Sequence, residues 1–182
     1  DARGVLRLHV LIEPHEALQL GDETVVLDAG RLVQHGKTLE IFRRPATLAA
    51  ARAFSDPPLN EIRARVDPSA GMAVLPNGLQ LPLAAGALSA VRNHSRDVIL
   101  GIRAHQFTIR PTQGAASITG RVDLAEISGS ETYVHVSQDD LSLVAQLPGV
   151  HELTIGERFT LHVEPGHIYC FDAHGQLIFA PH

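Results

Sequence analysis

Asp56-Pro57-Pro58 is the feature that most constrains this chain, because two adjacent prolines remove two backbone donors and admit neither a continuous helix nor a central strand. The residues on either side have different textures. Before the prolines, Thr38 can cap a short helix running to Arg44 and stopped by Pro45, and Thr47 can cap a second, LAAARAF. GVLRLHVLI at residues 4–12 reads as a strand leading into a short helix opened by Pro14, so the segment as a whole has an α/β character. ETVVLD and RLVQHG flank Asp28-Ala29-Gly30 as a hairpin whose glycine supplies a positive φ. After the prolines the signals are short strands between turns. IRARV, MAVL and LQLPL surround Asn77-Gly78, a strong hairpin signal, and VILGI and FTIR follow. The boundary therefore divides the chain into 1–58 and 59–182.

From position 118 onward five further strand segments appear: GRVDLAEI, ETYVHVS, LSLVAQL, RFTLHVE and a last one, HIYCF-DAHG-QLIFA, that turns at Asp-Ala-His-Gly. Leu141, Leu143, Ala145 and Leu147 alternate with polar residues, the pattern of a strand buried on one face. The predicted fold class is mainly β, a small Greek-key barrel of the OB type preceded by terminal α/β elements. A length of 182 residues suits one domain plus a piece of another.

Composition excludes several function classes. Fifteen Lys and Arg against 20 Asp and Glu give a net charge of -5, the wrong sign for a protein whose main partner is nucleic acid. With no Trp and two Tyr, the chain is also short of stacking platforms, and Tyr133, Tyr169 and Phe171 read as barrel core. A single cysteine, Cys170, makes neither an intrachain disulfide nor a thiolate cluster, consistent with a reducing compartment. The apolar run at 81–91 is far shorter than the roughly 20 residues that span a bilayer.

The motifs that invite chemistry are weak. Gly30-Arg-Leu-Val-Gln-His-Gly36-Lys37-Thr38 ends like a phosphate loop, but its glycines are one residue too far apart and Leu32 and Val33 read as strand. The eleven histidines contain no helical ligand pair with an intervening Glu, so no metal site is expected. His135 and His162 fall on outward strand positions. Glu126, Glu131, Asp139 and Asp140 scatter over strand, turn and loop, which does not fix an acid pair.

One longer pattern remains. Glu16-Ala-Leu-Gln-Leu-Gly-Asp-Glu-Thr-Val-Val-Leu-Asp-Ala-Gly-Arg-Leu-Val-Gln-His-Gly36, then Ile41-Phe42-Arg-Arg-Pro45, Phe54-Ser55 and Pro57-Pro58-Leu59-Asn60, resembles the end of the nucleotide-binding domain of ATPase subunits in carbohydrate-type ABC importers, the maltose and glycerol-phosphate group. Gly101-Ile102-Arg103, Gly129-Ser130-Glu131 with Val134-His135-Val136, and Phe171-Asp172-Ala173-His174-Gly175 are similar to that family's regulatory TOBE barrel.

The resemblance implies a remnant of the ABC nucleotide-binding domain at 1–58 and a TOBE/OB-like regulatory domain at 59–182. It implies a regulatory and dimerising part of an importer for sugars or polyols, coupling nucleotide-domain closure to import. A second ATPase subunit, identical or a close paralogue, and transmembrane permease subunits are the implied partners, at the inner face of the membrane; a regulatory protein or small ligand is a further one. ATP and Mg2+ are implied for a full-length member, but the family's phosphate loop, magnesium aspartate and catalytic glutamate have no counterpart in these residues, so no ATPase activity is expected of this chain alone. The family's switch-histidine position falls on Ile12, which cannot exchange a proton; His15 is the nearest substitute, three residues out of register. Asp1-Ala2-Arg3 is similar to the loop after the catalytic glutamate, which would make the chain a truncated or degenerate copy. Arg103 and Glu131 are the candidate regulatory or ligand residues, with a structural salt link as the other reading. A different class stays open beside this one: a stand-alone TOBE-type module binding a small anion or sugar.

Overall fold

A computed structural model describes residues 14–20 and 22–181. Ile12 and the strand expected at 4–12 lie outside the described residues.

The first elements are α1 (Pro14–Leu20), β1 (Glu23–Asp28), β2 (Arg31–Lys37), α2 (Thr38–Arg43) and α3 (Leu48–Ala53). β1 and β2 form the expected antiparallel hairpin, turning at Ala29 and Gly30 with φ of 47° and 74°. Val26 faces Ile41, Ala50, Phe54 and Ala17 in a small core of its own. Thr47 caps α3, accepting the Ala50 N–H at 3.1 Å. Thr38 does not cap α2, because its hydroxyl is buried in a 2.7 Å hydrogen bond with Thr24, and Lys37 occupies the cap position instead.

Beyond the prolines, β3 (Asn60–Asp67), β4 (Met72–Val74), β5 (Gln80–Pro82), β6 (Asp97–Ile102), β11 (Tyr169–Asp172) and β12 (Leu177–Phe179) make one antiparallel sheet in the order β12-β11-β6-β3-β4-β5. A second sheet orders β10 (Arg158–Val163), β7 (Ala116–Ser128), β8 (Glu131–Gln138) and β9 (Leu141–Pro148) as β10-β7-β8-β9. Strict alternation along β3 puts Ile62, Ala64 and Val66 inward and Glu61, Arg63 and Arg65 outward. The inward faces of both sheets share one core, which runs from Leu81 and Leu100 to Ile118, Val136, Leu147 and Leu161.

Closure between the sheets relies on a side chain. The Asn60 carboxamide, 5% exposed, donates to Ile102 O at 3.0 Å and Val144 O at 2.9 Å and accepts from Val144 N at 2.7 Å, so it stands in for a peptide group between β6 and the edge of β9. The architecture is a curled, OB-like β fold, as the strand pattern predicts.

Three local expectations change. Residues Ala85–Val91 form a helix, α4, that buries Ala87 and Val91 one turn apart. Phe107 to Arg110 contributes only an isolated bridge, Thr108 to His162, with Phe107 in the core. Tyr169 and Phe171 are buried on the outer face of the six-stranded sheet, against Leu48 and Ala51 of α3, rather than inside the barrel.

Candidate functional site

The densest polar chemistry in the described residues gathers at the seam between the α/β piece and the barrel. β6 delivers Arg103 there, one residue past its last buried apolar residue, Ile102. The side chain is 3% exposed. Its Nη1 donates to Phe54 O and, at 2.9 Å, to Ser55 Oγ, while Nη2 donates to Phe42 O at 2.8 Å. Phe42 lies in the last turn of α2 and Phe54 is the C-cap of α3, so one guanidinium satisfies orphan carbonyls at the ends of two helices.

Burying a full charge without a carboxylate requires other compensation. Here it comes from the negative ends of the two short helices and from two aromatic faces. The guanidinium carbon sits 4.2 Å from the Phe42 ring centroid and 5.5 Å from that of Tyr169. Tyr169 adds hydrogen bonds from its hydroxyl to Phe42 O and Arg43 O, both at 3.4 Å. The arrangement is a rivet: it orients α2 and α3 on the barrel and presents no free donor fork to solvent.

Glu131 sits in the other sheet, at the start of β8. Its carboxylate accepts from Gln146 Nε2 at 2.8 Å and from the Tyr133 hydroxyl at 3.3 Å. Burial, followed by the Glu131 charge and hydrogen bond and by Asp56, raises the Tyr133 phenol above its ordinary value. Arg103 and Glu131 therefore have separate partners and form no ion pair with each other among the described residues. His15 falls in α1.

The phosphate-loop lookalike is built into a strand and a helix start. Leu32, Val33 and Gly36 belong to β2, Lys37 lies 4.0 Å from Glu40, and Thr38 is buried on Thr24. Among the described residues there is no cluster of three His, Cys, Asp or Glu able to hold a metal ion, and no helix long and apolar enough to cross a membrane. Sequence reasoning singled out Arg103 but not its aromatic sandwich or the Asn60 bridge. The one available signal for a buried arginine was its place at the end of the apolar run Val98-Ile-Leu-Gly-Ile102 with no acidic neighbour.

These features define a class. Residues 100–171, from the end of β6 to β11, match the model of the TOBE domain. More particularly, the chain is homologous over 94% of its length to ATP-binding proteins of sugar and glycerol-phosphate ABC importers. It is 32% identical over 178 residues to the sn-glycerol-3-phosphate import ATP-binding protein UgpC 3 of Agrobacterium fabrum, covering 94% of this chain and 47% of the relative. It is 33% identical over 172 residues to the sulfoquinovosyl glycerol transport ATP-binding protein SmoE of the same organism, covering 93% and 47%. The chain thus spans about half the length of the curated relatives it matches. Among solved structures, the molybdate-bound form of the cytoplasmic molybdate-binding protein ModG superposes with a TM-score of 0.50 at 13% identity, over 61% of this chain and 94% of that one, a likeness of fold.

The relatives' names specify ATP binding, and the described residues of this chain do not fit a nucleotide: the only glycine-rich candidate is paired strand, with no convergent N–H cradle.

Proposed function

We propose that this chain is the C-terminal, regulatory and dimerising part of the ATP-binding subunit of an ABC importer for sugars or polyols. In this reading residues 1–58 are the last elements of the nucleotide-binding domain and 59–182 are the regulatory domain. ATP and Mg2+ bind to residues upstream of these in the whole protein, and the subunit sits at the inner face of the membrane against permease subunits and a second ATPase subunit. Arg103, riveting α2 and α3 to the barrel, is the joint through which nucleotide-domain closure moves the regulatory domain. Glu131, on the far sheet, is a contact for a regulatory partner.

The observation that carries this reading is an apolar face on the β1–β2 hairpin that stands exposed among the described residues. Val26 packs inward, while Leu27 and Leu32 pair directly across the strands at 64% and 65% exposed, with Val25 and Leu39 also about half exposed. An exposed apolar face on a two-stranded sheet calls for a partner, and in this reading the part of the relatives' length that this chain does not span supplies it.

The test joins the N-terminal portion of the Agrobacterium fabrum UgpC 3 protein to this chain. The chimera is expected to hydrolyse Mg-ATP, and the amides of Val25, Leu27 and Leu32 to gain protection from hydrogen exchange, while the 182-residue chain alone shows no turnover. A chimera that folds yet leaves the hairpin face exchanging freely, or ATP turnover by the chain alone, overturns the proposal.

A further inference from the structure

On the outer face of the six-stranded sheet, beside the part covered by α3, lies an open groove of about 940 Å³. Its floor is apolar: Val74, Leu75, Pro76 and Ile99. Its walls carry three guanidinium groups, from Arg63, Arg65 and Arg96, against two carboxylates, Asp67 and Asp97. Strand register explains the cluster. Arg63 lies opposite Ile99, and Arg65 lies between Asp97 and Val74, so consecutive outward positions of β3 project along one trough.

Both acids are already engaged. Asp67 accepts from the Ser69 hydroxyl, from Ala70 N at 3.2 Å and from Ser69 N at 2.9 Å, and these bonds, with a smaller pull from the Arg96 charge, hold its carboxyl below the usual range. Asp97 lies 3.6 Å from Arg65. Arg63 and Arg96 form no close ion pair among the described residues, although the Arg96 charge also acts on Asp67.

We infer that this groove is a binding site for a small organic oxyanion, a phosphate monoester with an apolar body. The guanidinium fork matches phosphate oxygens bidentately, and two forks lining one trough outside any close ion pair suit a dianion better than a single charge. The trough is too large for a bare ion, and its volume falls in the range of small-molecule sites, roughly 300–1,000 Å³, whose apolar lining carries an organic body. The place in the fold gives occupancy a consequence. Ala173, on the groove wall, belongs to the turn after β11, where Gly175 O accepts the Leu48 amide at 2.7 Å and Gln176 bridges Thr47. A ligand seated there braces the turn that holds α3. The site stands on this chain's own residues, whether or not the importer reading above holds.

The experiment is a titration of the isotope-labelled 182-residue chain with phenyl phosphate, read by backbone amide shifts, with benzyl alcohol and inorganic phosphate as separate arms. Saturable shifts are expected at Arg63, Arg65, Ile99 and Ala173, together with slower hydrogen exchange at Leu48. Each control should bind at least about ten-fold more weakly, and the double variant Arg63→Gln with Arg96→Gln should weaken phenyl phosphate by a similar factor while its circular dichroism stays unchanged. The inference is overturned by an absence of saturation up to about 10 mM, by benzyl alcohol or inorganic phosphate binding as tightly, or by an undiminished response in the double variant.

Discussion

At the scale of single residues, Arg103 illustrates how far a side chain's role can depart from its type. A positive charge in a family-like motif suggests ligand contact, but here every hydrogen-bonded partner is a carbonyl or hydroxyl 48 to 61 residues away in sequence. Those partners are invisible in a local reading, and so is the Phe42 and Tyr169 sandwich that makes the charge tolerable. Replacing Arg103 by Met would fill much of the space but orphan the Phe54 carbonyl and leave that of Phe42 only the long Tyr169 hydroxyl contact, a cost of roughly 2 kcal/mol at about 1–3 kcal/mol per unsatisfied buried group. Arg103→Lys should recover less than half of this, because one ammonium cannot reach two helix ends at once. Urea unfolding followed by circular dichroism would give the global loss, and hydrogen exchange would locate it. Faster exchange confined to α2 and α3, with β7 to β9 unchanged, is the expected pattern; an equal loss across both sheets would contradict the rivet.

At the scale of elements, the strands were legible because their burial alternates. The β1–β2 hairpin and the cap at Thr47 were legible because both depend on neighbours in sequence. Helix α4 was not. It buries only Ala87 and Val91, a single turn's worth of apolar spacing, and its Gly86 lies so close to Phe179 that a Cβ would stand 2.9 Å from the ring. No periodicity survives in so short a stretch of small residues, and contact with the last strand decides its conformation. Gly120 is a second case where tertiary approach sets the residue. A Cβ there would fall 2.3 Å from Ser137 O and 2.6 Å from a Val136 methyl, just before the β7 bulge at Val122. Gly120→Ala must therefore push β8 away from β7, since the obstacle includes backbone. A loss of about 3 kcal/mol or more is expected, at the upper end of overpacking costs. Chemical denaturation measures it directly, and a loss below about 1 kcal/mol would mean the two strands separate more easily than their packing indicates.

At the scale of the whole molecule, the question is whether the barrel core opens as one unit or the small α/β core lets go first. Cys170 reports on this, because it lies in the large core, fully buried on β11 and in a different cluster from the one around Val26. Burial pushes its thiol up to about 12, so the folded protein keeps the proton long after the unfolded chain has released it near 9.0. The sign follows: between those two values the unfolded state binds fewer protons, so stability is fully present below about 9 and is lost as pH rises toward 12, by about 1.4 kcal/mol per unit. Cys170→Ala removes the titration but leaves a small void, a cost on the order of 1 kcal/mol at neutral pH. The two stability curves should therefore cross roughly one unit above the unfolded thiol's value, near pH 10, with the variant the more stable beyond it. Tyr133 also titrates in the alkaline range, but it is common to both proteins and cancels in the difference. Curves that stay parallel from pH 7 to 11 would mean the thiol is not released by the transition being followed, and hence that the α/β piece unfolds while the barrel remains closed.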